Sequence, residues 1–361
     1  MRLNDNENLI PCAPELLQEK VVSITQFVAS TGARMRVFDL GRRISKIGLS
    51  EFEAIEDLAR PYPTPYLRHA WVGILSWNPD EPGQHNIWFL KLPLDEQNIL
   101  QPGPRDQFLQ HWLRVVQHPD KDHGEAPCSF KPDGNRMAYF HSIALKTLKQ
   151  PETKYYATAR AYFSGDTGWQ NWQQLGLQGI AEVVARLDES NNSELLQKAL
   201  PEMDKVGASV PRNVLLGFLE NAEPDVNLTI ALTDSLAAAM KGQPDATALA
   251  LYCRAMSQSV SVNHRRDVLQ LVLQHPLASE VEILSAVGSR CWNDLEGDTL
   301  SLYLEKLALA GQDVFLALVA DLMTLPGKRK QILEAFRNPQ RSDELGAAIG
   351  VLMSAARGGV Q

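Results

Sequence analysis

Apolar residues return along this chain with two different rhythms, and the change from one to the other falls near residue 170. Between residues 14 and 31, Leu16, Leu17, Val21, Val22, Ile24, Phe27 and Val28 recur at every third or fourth position, as one buried helix face requires, and Gly32 ends the run. Residues 34–40 predict a strand stopped by Gly41, with a short second run at 44–47. Ser50 is the predicted cap of a brief helix through Leu58, because its hydroxyl can accept a bond from an orphan amide of the first turn. Pro61, Pro63 and Pro65 then hold the chain extended. Two aromatic-rich runs at 70–77 and 86–92 predict strands, and the Pro, Gly and Asp residues of the 78–85 loop join them as a hairpin. Phe108, Leu109, Trp112, Leu113 and Val116 mark one side of a helix at 105–117. Together these elements predict a small antiparallel sheet covered by helices on one face.

The remainder has a different character. Residues 118–132 are polar and rich in turn formers, and Asp133 is the predicted cap of a helix reaching Leu148. A helix at 152–163 follows, and from Trp172 onward the pattern gives helix-length segments on short connectors, with no convincing strand. Paired, they make units of about 30 to 35 residues, close to the period of helical repeats. The expected fold is therefore an α+β head followed by an all-α helical-repeat body of the α-solenoid, HEAT-like kind, with an irregular all-α bundle as the alternative. The expected division is a flexible polar N-terminus at 1–12, an α+β domain at 13–130 and a helical-repeat domain at 131–361.

Charge changes the picture of the body more than that of the head. From residue 174 onward 16 Lys and Arg face 23 Asp and Glu, a net of −7 of the whole chain's −8. Non-specific nucleic-acid binding needs a basic face to neutralise phosphates, so an acidic body argues against it without removing a local basic stripe. Cys12, Cys128, Cys253 and Cys291 stand far apart, which leaves no C-x-x-C redox site and no zinc-ribbon spacing. Leu9 to Cys12 resembles a lipoprotein cleavage site but lacks an apolar run ahead of it. With no secretory pattern and no run of about 18 apolar residues, a cytoplasmic protein without a membrane partner is expected.

Three runs carry a resemblance. Val37-Phe-Asp-Leu-Gly-Arg-Arg-Ile44, His69-Ala-Trp-Val-Gly-Ile-Leu-Ser-Trp-Asn78 and Ile87-Trp-Phe-Leu-Lys-Leu-Pro-Leu-Asp-Glu-Gln97, continued through Trp172 to Ala181, resemble an uncharacterised, mainly gammaproteobacterial family catalogued only as a domain of unknown function. The resemblance covers most of the chain and implies no catalytic residue. Family members near genes for tRNA pseudouridine synthase and flavodoxin imply a setting and no activity.

Patterns that invite a chemical reading are each better explained by structure. His118-Pro-Asp-Lys-Asp-His123 approximates a metallohydrolase motif, yet Asp120 stands where the central His belongs and a helix precedes it, so a solvated loop is expected and no metal. Asp39-Leu-Gly41 is similar to the phosphate-contacting turn of actin-like ATPases but continues Arg42-Arg43, so a plain turn is expected and no cofactor. Nucleotide, serine-hydrolase and zincin fingerprints are absent from the sequence. What remains is a non-enzymatic protein-interaction scaffold. Its candidate contact residues flank the aromatic hairpin: Arg42, Arg43, His69, Asp95 and Glu96. Trp71, Trp77 and Trp88 are expected in the core. An RNA-associated factor is the alternative, its contact candidates Lys328, Arg329, Lys330, Arg337 and Arg341. An enzyme with an unrecognised site in the head is a third reading.

Overall fold

A computed structural model describes residues 23–81, 83–118 and 120–358. The expected flexible segment 1–12, Cys12 and the first part of the predicted 14–31 helix lie outside the described residues. The chain divides into two compact units between Arg136 and Met137.

In the first unit strands β1 (Arg34–Asp39), β2 (Ser45–Ile47), β3 (His69–Trp77) and β4 (His85–Pro93) form one antiparallel sheet in the order β2-β1-β3-β4. Alternation decides what each strand buries. Met35 and Val37 of β1, Ile47 of β2, Ala70, Val72 and Ile74 of β3, and Leu90 and Leu92 of β4 share the core face. Ile24, Phe27 and Val28 of α1 (Ile24–Ser30), Phe52 and Ile55 of α2 (Leu49–Glu56), and Phe108 and Leu109 of α3 (Pro102–Gln117) pack against them. Trp88 joins this core against Trp112, ring centroids 4.6 Å apart, whereas Trp71 and Trp77 have the opposite parity and face away from it. Residues 128–130 run beside β4, where the Lys91 amide donates to the Cys128 carbonyl (2.7 Å) and the Phe130 amide to the Phe89 carbonyl (3.0 Å), so the edge is paired.

Two buried carboxylates tie the connections down. Glu56 of α2 accepts from the amides of Ile24 (2.7 Å) and Thr25 (3.0 Å) and from the Thr25 hydroxyl (2.6 Å), satisfying the open first turn of α1. Asp39 at the end of β1 accepts from the Tyr62 hydroxyl (2.7 Å), the Thr64 hydroxyl (2.9 Å) and the Gly41 amide (3.0 Å), which holds the proline-rich segment onto the sheet. Burial lifts the Asp39 carboxyl above its ordinary value, and the donors from Tyr62, Gly41 and Thr64 with the charge of Arg42 pull it part of the way back.

Element starts shift in ways local chemistry explains. Gly48 is the N-cap of α2, with an extended backbone and no side-chain bond, so Ser50 sits inside the first turn and is not the cap. Helix α3 begins at Pro102, whose missing N–H is no loss in a first turn. Asp133 does cap α4 (Gly134–Thr147), accepting from the Arg136 amide at 2.9 Å.

After Trp172 the described residues contain helices and no strand. Behind α5 (Lys154–Phe163) come α6 (Leu177–Ala185), α7 (Asn192–Lys205), α8 (Ser209–Leu219), α9 (Val226–Lys241), α10 (Ala246–Met256), α11 (Val262–Gln274), α12 (Val281–Arg290), α13 (Gly297–Leu309), α14 (Gln312–Met323), α15 (Lys328–Ala335) and α16 (Asp343–Gly358). The first helical segment after Trp172 is not continuous: a short turn at Trp172–Gln174 and α6 are parted by Gly176 in an extended conformation. Helices α6, α8, α10, α12 and α14 each pack on the next of that set, as do α5, α7, α9, α11 and α13.

One close approach sets the start of this array. A Cβ built on Gly179 of α6 would lie 2.3 Å from the Tyr155 carbonyl oxygen of α5, so no side chain fits without separating the helices. Gly179→Ala is therefore expected to destabilise the protein by about 2 kcal/mol in urea unfolding, despite alanine's better helix propensity. An unchanged or raised midpoint would contradict this packing.

Candidate interaction surfaces

Helices α7 and α9 leave a groove of about 530 Å³ lined by Gln197, Pro201, Asp204, Lys205, Ile230, Ala231, Asp234, Ser235 and Ala238. Pro201 lies inside α7 and cannot donate the bond that the Gln197 carbonyl would receive in an unbroken helix. Across from it Ile230 of α9 is 41% exposed, a large apolar side chain that this helix does not bury. The floor is polar and fixed: Asp204 accepts from Arg212 Nη1 (2.8 Å) and the Ser235 hydroxyl (2.6 Å), and Ser235 also bonds the buried Tyr252 hydroxyl (2.5 Å). On the wall, Lys205 is drawn to Glu202 at 2.6 Å, while Asp234 is exposed. The result is an apolar slot with a carboxylate on each side, of a size that suits one or two side chains of a partner.

Charged groups elsewhere in the second unit mostly serve its packing. Glu220, directly after α8, lies 2.7 Å from Arg254 Nε of α10 and 3.0 Å from Arg290 Nε of α12, so one buried carboxylate joins three helices. Burial pushes the Glu220 carboxyl up, but the guanidinium groups of Arg290 and Arg254 outweigh it and hold the acid below its usual range. Arg265 donates to both oxygens of the buried Asp294, at 2.8 and 3.1 Å. Cys253 and Cys291 are free and buried, and burial pushes the Cys253 thiol up to about 12, which keeps it protonated and poorly nucleophilic.

The residues singled out from the sequence separate. Arg42 is fully buried, its Nε and Nη2 donating to the Pro65 carbonyl at 3.1 and 2.9 Å and its guanidinium 5.9 Å from the Tyr66 ring centroid. It holds the proline segment and is not a surface contact. Arg43 is half-buried. His69 is half-buried too, with Nδ1 2.6 Å from the Leu67 carbonyl oxygen. Asp95 is exposed but accepts from the amides of Gln97 and Ile99, both at 2.8 Å, so it shapes its own turn, and Glu96 beside it is exposed. In the C-terminal basic set Lys328 is 5% exposed and donates to the Leu295 carbonyl at 2.9 Å, which removes it from any phosphate-contacting face. Lys330 lies 3.8 Å from Glu334, and Arg341 donates to the carbonyls of Phe336 (3.0 Å) and Asn338 (3.2 Å). Arg329 and Arg337 are exposed. In the loop after α3, His123 Nε2 lies 2.7 Å from the His118 carbonyl oxygen, and among the described residues no group of three or more His, Cys, Asp and Glu is placed to hold a metal. No described helix is long and apolar enough to cross a membrane.

Residues 19–353 match the DUF3549 family, described as proteins of unknown function. The chain belongs to the DUF3549 family. No curated protein and no solved structure matches it. For this DUF3549 protein the candidate site therefore stands on its own geometry. The groove itself was missed in the sequence, where its one visible sign is a proline inside an otherwise helical run.

The Glu220 cluster gives a test with a definite sign. An acid held low in the folded state contributes stability above its unfolded value of 4.5, and that contribution is lost as pH falls through the folded value. Glu220→Gln is expected to lower stability by about 3 kcal/mol at neutral pH, because it removes the buried charge that both Arg254 and Arg290 face. The gap between the two proteins should close on acidification below the unfolded value. Urea unfolding across that range checks it, and a gap that stays constant with pH would show that the carboxylate's charge contributes nothing.

Proposed function

We propose that this protein is a non-enzymatic interaction scaffold whose helical body is an α-solenoid and whose α7–α9 groove receives a segment of a partner protein. One observation carries the reading: many polar ties between body helices span about one two-helix unit of chain, and Glu220 also reaches Arg290, 70 residues or about two such units away. Thr153 reaches Glu182, Ser193 reaches Asp225, Arg254 reaches Glu220, Thr247 reaches Glu282, Arg265 reaches Asp294 and Ser342 reaches Glu305, over separations from 29 to 37 residues. A repeated two-helix unit stacked on its neighbour produces this separation, whereas an irregular bundle has no reason to. Solenoids present extended surfaces between successive helices, and the groove lies between α7 and α9, two places apart in the chain.

The support for binding is the slot's chemistry. Apolar walls at Pro201, Ile230, Ala231 and Ala238 give a partner side chain something to desolvate, and the fixed Asp204 with the exposed Asp234 gives it orientation. The cytoplasm is the compartment proposed.

Ile230→Asp combined with Ala238→Arg would fill and charge the slot at side chains that are exposed, so melting should change little. The full chain carrying a photo-crosslinker at Gln197 is expected to label one dominant protein in native lysate. The double variant should reduce that labelling at least tenfold with its melting temperature kept. Labelling that the double variant leaves unchanged would move the binding surface away from this groove.

A further inference from the structure

The second face of the sheet has a charge pattern that the sheet's own core does not account for. Cross-strand register puts Arg34 opposite Trp77 and Trp77 opposite His85, then Arg36 opposite Leu75 and Leu75 opposite Ile87, then Lys46 opposite Phe38. The middle of this face is buried at Phe38 and Leu75. At its open end Arg34, Arg36 and His85 are exposed and Trp77 is half-buried, while Lys46, exposed on the neighbouring β2, stands beside Phe38 and diagonal to Arg36. The Arg36 guanidinium carbon lies 5.8 Å from the Trp77 ring centroid, so an aromatic ring and a planar cation already share one surface. The four strands carry Arg34, Arg36, Lys46 and Lys91 against a single carboxylate, Asp39, which is buried on the other side and fully engaged with its donors. In a chain with net charge −8, that makes this face locally cationic.

We propose that this sheet face, running from Trp77 and Arg34 at its open end through Arg36 to Lys46 on β2, is a binding platform for single-stranded nucleic acid. Charge complementarity selects a polyanion, since no strand carboxylate faces the three exposed cations. Side chains two apart on one strand stand about 7 Å from each other, so Arg34 and Arg36 can neutralise separate phosphates of an extended backbone. Trp77 selects the kind of polyanion. Unstacked bases find partners in indole and guanidinium planes exposed on a flat sheet, while the bases of a duplex are stacked on one another and cannot reach them. An acidic peptide would leave the ring unused, and a lipid surface would leave the planar Arg36 and Trp77 arrangement without a role. The hairpin that joins Trp77 to His85 carries the exposed Asp80 and Glu81, which oppose a phosphate backbone and bound the platform on that side.

The test uses the full chain and fluorescein-labelled oligouridylate and oligothymidylate of about 12 nucleotides, within the usual footprint of such surfaces. Anisotropy at about 50 mM salt is expected to show binding that weakens steeply as salt rises. Replacing Arg34, Arg36 and Lys46 with Ala should reduce the log-log salt slope by about 2, since each single-strand phosphate contact contributes about 0.7. Trp77→Ala should weaken binding by roughly 5- to 150-fold, with Trp77→Phe retaining most of it. Asp80→Asn with Glu81→Gln should tighten binding, a gain that a misfolded variant could not produce. Melting curves of each variant accompany the titrations. Absence of binding at low salt, affinity indifferent to the triple substitution, equal affinity for the same sequence as a duplex, or capture by anionic phosphatidylserine vesicles without binding to the oligonucleotides would each overturn the proposal.

Discussion

Polar groups buried at helix ends must find partners, and in the second unit many of those partners come from a helix about one pair away in the chain, others from the adjoining turn. Glu182 is fully buried on α6 and takes the Thr153 hydroxyl at 2.6 Å. Asn192 is fully buried at the start of α7 and donates to the Arg186 carbonyl at 2.7 Å and to the Tyr156 hydroxyl at 3.1 Å. Each of these groups would cost about 1 to 3 kcal/mol if left unmet, and more where it is charged. In the solenoid proposed above, stability would be a sum of neighbour terms, with no single core dominating it. The same rule explains where a surface can be spared for function. Asp204 faces the α7–α9 groove yet has its charge already met by Arg212 and Ser235, so the groove can stay open without leaving a buried ion unpaired.

The first unit solves a related problem at the end of a strand. Asp39 and Arg42 are both buried within four residues, and the proline-rich segment supplies what they need: Tyr62 and Thr64 donate to the acid, and the Pro65 carbonyl accepts from the guanidinium. Gly41 permits this close turn, since a Cβ there would stand 3.1 Å from Cβ of Tyr66 and 3.2 Å from the Asp39 carboxylate. With the connection held at one end of the strand, Arg36 at the other end makes one bond to its neighbour's carbonyl and stands over the Trp77 ring. Strand parity then does the sorting. Met35 and Val37 go to the core while Arg34 and Arg36 go to the opposite face.

Much of this was legible in the sequence because it depends on local rules. The two hairpin strands, the helix cap at Asp133 and the loss of strands after residue 172 follow from alternation, hydroxyl or carboxylate capping and helical periodicity. Trp71 and Trp77 share a parity along β3, but which parity faces the core depends on the pairing of Ile74 with Trp88, a contact between strands. The burial of Arg42 and Lys328 was hidden for the same reason. A cation goes inside when a carbonyl waits for it, and the carbonyls of Pro65 and Leu295 lie 23 and 33 residues away. Ser50 looked like a cap, yet Gly48 two residues earlier reached the extended conformation the helix start required. The groove was least legible, because it exists only between two helices whose register is set by packing.

The two surfaces differ in the force they would use, and this separates their behaviour in solution. An apolar slot whose inner carboxylate, Asp204, is already paired gains mainly from removing carbon from water, a term that salt changes little and that kosmotropic salts strengthen. A cationic sheet face gains mainly from releasing counterions, a term that declines with every rise in salt. The chain's net charge of −8 also acts on the second case, since an acidic protein gives a polyanion no general attraction beyond its cationic strands. Such a background penalises loose electrostatic adhesion and leaves only contacts that combine charge with a stacked ring. Trp77 therefore carries more of the argument than the arginines around it. Cations on an acidic protein can be solvated and idle, but a half-buried indole held between Arg34 and His85 by strand pairing is a shaped feature that solvation alone does not explain.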